Sequence, residues 1–158
     1  MSRYTMTVSW ELGDTRFAGG RYSRAHIWSF DGGAVVRASS SPGVVPTPYS
    51  DPAGVDPEEA FVASLASCHM LWFLSIAAQR GFCVRSYRDS AEGTMAAGLD
   101  GRLRMVAVSL RPHTVFAGSR HPSLEELRAL HREAHEECFI ANSVTTQLTT
   151  IPTLEVVP

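Results

Sequence analysis

The chain has 158 residues, 44% apolar and 19% charged, with a formal net charge of −2, which is one domain's worth of sequence with enough apolar residues for a core. A balance this close to neutral excludes a binder of the nucleic-acid backbone, which needs a clustered positive face. All 14 basic residues are Arg, and the absence of Lys excludes Schiff-base catalysis by the protein, pyridoxal phosphate anchoring and the lysine of a phosphate-binding loop.

Residues 4–12 alternate, with Tyr4, Met6, Val8 and Trp10 on one face and Thr5, Thr7 and Ser9 on the other, which predicts a half-buried strand. After the Gly19-Gly20 turn, residues 22–30 alternate again, and Asp31-Gly32-Gly33 reads as a hairpin turn into a strand over 34–38. Residues 39–56 hold Pro42, Pro46, Pro48 and Pro52 and read as a long irregular loop, a length that is usually functional or meets a partner. A helix is predicted over 57–80, with Asp56 as N-cap, Pro57 at the first helical position, Glu59 completing a capping box and Gly81 as the stop.

That helix contains 19 uncharged residues from Ala60 to Ala78, the length of a membrane span. Ser64, Ser67, His69 and Ser75 interrupt the run, and both ends carry ordinary helix signals. The segment is therefore read as a central helix buried on all sides, with no membrane as partner. Strands are predicted over 82–95 and 102–116, joined by Gly98-Leu99-Asp100-Gly101. A second helix opens at Ser123, capped by Glu126, and runs to about Glu137 with Leu124, Leu127, Leu130 and Ala134 inward. A short helical turn over 138–142 and a strand over 144–157 close the chain. Strands, helix, strands, helix, strand make an α+β fold, taken as a single domain over 1–158.

Cys68, Cys83 and Cys138 are odd in number and widely spaced, unlike a secreted disulfide scaffold. The opening Met1–Thr7 has no apolar stretch of signal-peptide type, and the expected compartment is the reducing cytoplasm. Cys68 lies midway along the first helix and Cys138 just after the second, positions that two helices sharing a core can bring together. Cys83, at a strand start, reads as a buried or semi-buried structural thiol. His131 and His135 share a helical face, and with Cys68, His69 and Cys138 they supply residue types that could hold zinc, although the spacing is unspecific. Trp10, Trp28 and Trp72 read as core or subunit-contact residues. No dinucleotide or phosphate loop is present, so no organic cofactor is expected.

The run Asp56-Pro57-Glu58-Glu59-Ala60-Phe61-Val62-Ala63-Ser64-Leu65-Ala66-Ser67-Cys68-His69 resembles the first-cysteine helix of the OsmC/Ohr family of osmotically inducible and organic hydroperoxide resistance proteins. His135-Glu136-Glu137-Cys138-Phe139-Ile140-Ala141-Asn142-Ser143 resembles the family's second-cysteine segment, and the element order matches over nearly the whole chain. The resemblance implies antiparallel sheets around the central helix, an intertwined homodimer, and reduction of organic hydroperoxides in oxidative-stress defence. It makes Cys68 the peroxidatic thiol and Cys138 the resolving one, joined as a disulfide in the cycle and restored by an external thiol or dithiol. A buried thiolate needs a cation, for which the resemblance implies an early arginine held by a glutamate ten residues before the first cysteine. Glu58 has that spacing, with Glu59 as its neighbour, and Arg24 is chosen for the cation with Arg21 as the alternative.

Two features depart from the family pattern. Phe139 stands where many relatives have Pro, and His69 to Phe73 form a bulky segment after Cys68. They leave open a binding or redox-sensing protein without efficient turnover, and a metal-binding module built on Cys68, His69, His135 and Cys138. A second copy of the chain would also cover an all-apolar helix that a chain of this size covers poorly alone.

Overall fold

Asp56 begins the longest element through the reciprocal capping its sequence announces. In the computed structural model, which describes residues 1–158, the Glu59 amide donates to Asp56 Oδ1 at 2.7 Å and the Asp56 amide donates to Glu59 Oε2 at 3.1 Å. Helix α1 then spans Pro57–Gln79. It ends where Gly81 takes a φ of 75°, a left-handed conformation that a side chain at this position would resist.

The chain divides into two compact units, residues 1–60 and 61–158. In the first, β1 (Met6–Ser9), β2 (His26–Phe30) and β3 (Val35–Ala38) form an antiparallel meander. The predicted hairpin at Asp31–Gly33 is present, closed by the Phe30 amide donating to the Ala34 carbonyl at 2.9 Å. Strands expected over 4–12 and 22–30 are shorter, because Trp10 leaves the ladder to donate from Nε1 to the Ser23 carbonyl at 2.7 Å and to pack against Phe17 and Tyr22. The proline-rich segment is irregular as expected, tied back to β3 by an Arg37–Asp51 ion pair at 2.7 Å and by the Asp51 amide on Ser39 Oγ.

In the second unit each long predicted strand is two strands. Residues 82–95 resolve into β4 (Cys83–Asp89) and the start of β5 (Glu92–Ala97); 102–116 into β6 (Leu103–Leu110) and β7 (Pro112–Ala117); and 144–157 into β8 (Gln147–Thr150) and β9 (Thr153–Val157). Two of the three breaks have a common cause. Pro112 and Pro152 have no N–H for a ladder, and at the same level Arg111 N donates to Asp89 Oδ1 at 2.7 Å while Ile151 N donates to the Leu110 carbonyl at 2.9 Å. The chain thereby passes between two sheets, β4-β7-β9 and β5-β6-β8. The α+β class stands, but the sheets expected to be antiparallel are mixed, since β6–β8 and β7–β9 pair in parallel.

Helix α1 spans two apolar clusters. Its first half, through Leu65, packs with Val108 and Leu110 of β6. Gly93 of β5 permits this approach, since a Cβ there would come within 2.6 Å of Val62 and of the Met105 sulfur. Its second half, through Phe73, Ile76 and Ala77, packs with Phe82, Phe116 and the helix α2 (Leu124–Glu137). The expectation of burial on all sides is corrected. Leu65, His69, Phe73, Ile76 and Ala77 are buried, whereas Ser64, Ser67, Leu71 and Ser75 form an exposed stripe in the single chain. The open face carries no charge, being made of small residues and Leu71. Helix α2 has its predicted Ser123–Glu126 capping box, with Leu127, Leu130 and Ala134 buried; Leu124, expected inward, is 49% exposed, and His131 takes an inner position instead.

Candidate active site

The two helices bring Cys68 and Cys138 together. Cys68 is half-buried at the edge of the open stripe of α1, and Cys138 is buried at the C-cap of α2, both as free thiols. The turn after α2 wraps the second sulfur: the Ala141 amide donates to Cys138 Sγ at 3.4 Å, and the Asn142 amide donates to the Cys138 carbonyl at 3.0 Å. Burial pushes the Cys138 thiol up to about 11, helped by hydrogen bonding to Cys68 and opposed by the amides of Ala141 and Ile140. Cys138 is therefore a protonated thiol near neutrality, and a protonated thiol is a poor nucleophile. Cys83, expected to be buried or semi-buried, is exposed at the start of β4.

Cys68 opens into a groove of about 480 Å³ whose apolar walls are Leu71, Trp72, Phe139 and Ile140. Trp72 and Phe139 meet edge to face with ring centroids 5.4 Å apart, and Ser64, Ser67 and Ser75 add hydroxyls along the α1 side. The two bulky departures from the family pattern are thus the same feature, one aromatic wall beside Cys68.

His69, next in sequence to Cys68, points the other way. Its Nε2 lies 2.9 Å from Nδ1 of His131, the rings are nearly coplanar, and His131 stacks on Phe73 at 4.2 Å. Burial, with His135 nearby, lowers His69 to about 4, and burial together with His69 lowers His131 to about 3. Leu65, His69 and Phe73, spaced by four, all lie on the buried face of α1. The zinc set of Cys68, His69, His135 and Cys138 does not assemble: no three or more His, Cys, Asp or Glu side chains are grouped to hold a metal.

Arg24 lies just before β2, half-buried, and its guanidinium donates to the carbonyls of Gly20 (2.7 Å) and Tyr22 while resting 3.7 Å from the Tyr22 ring centroid. Arg21 is exposed. Glu58 is half-buried in the first turn of α1 and makes no ion pair with Arg24 in the single chain. Glu59 is occupied by the capping box.

An α+β chain with one accessible thiol over a second, buried thiol is the class this geometry defines. The sequence profile of OsmC-like proteins matches residues 50–152, and an OsmC-like protein of unknown function from Vibrio cholerae is 49% identical, with 99% of this chain and 100% of that one covered and a TM-score of 0.92. The chain belongs to the OsmC-like family. The fold is shared more distantly with an organic hydroperoxide resistance protein OsmC from Legionella pneumophila, 16% identical over 99% of this chain and 100% of that one with a TM-score of 0.68. It is shared also with an organic hydroperoxide resistance protein of Bacillus subtilis, 18% identical over 96% and 98% with a TM-score of 0.62. No curated protein matches the sequence. Helix α1 is long and apolar enough to cross a bilayer, but its buried face belongs to the core of this family fold.

Proposed function

We propose that the protein is a thiol-dependent peroxidase of the cytoplasm that reduces organic hydroperoxides through Cys68 and Cys138 in oxidative-stress defence. The observation that carries the reading is the pairing of an accessible Cys68, at an apolar groove, with a buried neighbouring thiol, Cys138. The Cys68 thiolate attacks the terminal oxygen of ROOH; the O–O bond breaks, the alkoxide takes a proton and leaves as ROH, and Cys68 becomes a sulfenic acid. Cys138 then loses its proton and attacks the Cys68 sulfur, expelling the hydroxyl as water and forming the disulfide. An external dithiol supplies two electrons and two protons to restore both thiols by exchange. The aromatic wall of Trp72 and Phe139 receives the organic substituent, and no bound cofactor takes part.

Arg24 and Glu58 activate Cys68 in this reading, by the family resemblance: a guanidinium favours the thiolate, and a carboxylate aims it. The binding or sensing alternative draws on one observation, that the Arg24 guanidinium is already engaged by carbonyls of its own loop. It predicts reactive thiols with little peroxide turnover and a retained apolar ligand.

Replacing Cys138 by Ser separates the two readings. Stopped-flow mixing with an organic hydroperoxide is expected to give one fast turnover per chain, then a stall and slow conversion of Cys68 to the sulfinic acid. Wild-type multiple turnover with a dithiol would remove the resolving role of Cys138, and absence of even the first turnover would favour binding.

The protein acts as a homodimer in this proposal. In residues 1–60 only Ala38, Ser39 and Ser50 are buried, while Met6, Val8, Phe30 and Val35 are exposed. A small meander without a covered apolar face is not stable by itself. Light scattering across a dilution series is expected to give twice the 17.2 kDa chain mass, and a monomer that keeps full thermal stability would contradict the dimer.

A further inference from the structure

Helix α1 grips one ring of α2 at two points. The edge of His131 meets His69, Nδ1 to Nε2 at 2.9 Å with the rings 4° from coplanar, and its face stacks on Phe73 at 4.2 Å. His69 and Phe73 are one turn apart on the buried face of α1, so the ring is fixed in height and in rotation together. The rest of the buried seam is apolar, Phe73, Ile76 and Ala77 against Leu127, Leu130 and Ala134. Arg80 and Glu133 pair only at the exposed rim, where an ion pair fixes little. Two buried imidazoles are a costly way to fill such a seam, since Nε2 of His131 is left without a hydrogen-bond partner and two apolar side chains would avoid that penalty. What the polar contact adds is register. Apolar burial is non-directional, a hydrogen bond fixes distance and angle, and a buried polar pair can align packed helices at a cost in stability.

Each ring is tied to a cysteine. His69 follows Cys68 in α1, and His131 precedes Cys138 by seven residues, two turns of α2 that return to the same face within about 20°. We propose that His69 and His131 are positioning residues, whose shared hydrogen bond holds α2 in the register at which Cys138 attacks the Cys68 sulfenic acid. Ile140 and Ala141 also keep the turn after Cys138 against the cluster around Leu65, but apolar contacts tolerate a displacement of about 1 Å, enough to slow a positioned reaction up to about a hundredfold. The step served belongs to the peroxidase reading, on which the proposal rests.

Two measurements on the full chain test it. In the first, the reduced protein meets one equivalent of an organic hydroperoxide, and mass spectrometry of quenched samples separates oxidation of Cys68 from formation of the Cys68–Cys138 disulfide. In the second, no peroxide is present: glutathione disulfide takes two electrons and two protons from the cysteine pair and leaves as two glutathione thiols, and the equilibrium constant is read. In His69→Leu/His131→Leu, oxidation of Cys68 is expected to stay within about twofold of wild type. Disulfide formation should slow at least about tenfold, with Cys68 sulfinic acid accumulating, and the glutathione equilibrium should move at least about tenfold toward the dithiol. The thermal midpoint is expected to be unchanged or higher, because both polar groups leave the core together. His131→Asn, which keeps a polar atom near the place of Nδ1, should bring the disulfide rate back to within about threefold of wild type. His131→Phe, which keeps the stack on Phe73 without a nitrogen, should be as slow as the leucine pair and decides the matter if that pair does not fold. Wild-type disulfide rates and equilibria in a folded variant lacking the hydrogen bond, or an equal loss in His131→Asn, would overturn the proposal. A wild-type protein that forms the disulfide in glutathione but leaves the hydroperoxide intact would overturn the peroxidase reading alone, with the glutathione equilibria still deciding the positioning role; no disulfide in either measurement would overturn both.

Discussion

Cys68→Ser is expected to lower the rate of organic hydroperoxide consumption by about a thousandfold or more, to near the uncatalysed rate. The size of the loss follows from the absence of a substitute. The serine hydroxyl is not ionised near neutrality and is a poor nucleophile toward the O–O bond. Cys138 cannot replace Cys68, because it is 1% exposed and its thiol is pushed up to about 11 by burial and by its neighbour. Cys83 is exposed but lies outside the groove, at the start of β4. Serine is close to cysteine in size and the site is half-buried, so the folded state should be unchanged by circular dichroism. Retention of even a tenth of the wild-type rate would show that the reaction runs through another group.

Acidification from pH 7 to pH 5 is expected to cost about 4 kcal/mol of folding stability, read from urea unfolding midpoints. Both members of the His69–His131 pair have folded-state values well below the ordinary 6.5, at about 4 and about 3. The unfolded chain therefore binds protons that the folded chain refuses, and stability falls as pH drops below about 6.5 and goes on falling toward those lower values. Each refused proton contributes a slope of about 1.4 kcal/mol per pH unit, and two such rings act together. The cause is local: both rings are buried between α1 and α2, and a charge on either would face its partner ring and the Phe73 face. A midpoint unchanged between pH 7 and pH 5 would mean that the pair is protonated or open to solvent in the native state.

Much of this was legible because the signals are local. The Asp56–Glu59 and Ser123–Glu126 caps and the Gly81 stop are backbone chemistry written in adjacent residues, and they fixed both helices to within a residue or two. The two cysteine segments were legible as a family pattern, and the helix pairing brings their sulfurs together. What the sequence obscured was non-local. The three strand breaks align across sheets, and only Pro112 and Pro152 mark two of them; the third, at Ser90-Ala91, has no breaker. Burial on one side of α1 was masked because its open face carries Ala63, Leu71 and Ala78 among the serines and no charge to mark it. His69 lies on the buried face of α1, and its partner His131 is 62 positions away, beyond any spacing rule. The groove wall could be seen only as two separate anomalies, Trp72 and Phe139, until the fold set them edge to face.

The central claim is that Cys68 and Cys138 form one redox couple. The most direct test is intact-mass and peptide mass spectrometry of the non-reduced protein after one equivalent of an organic hydroperoxide, with peroxide loss followed alongside. The account predicts loss of two hydrogens per chain, a Cys68–Cys138 cross-linked peptide in stoichiometric yield, and peroxide consumed at the same rate. Unmodified thiols with the peroxide intact, or a cross-link involving Cys83 instead, would contradict it.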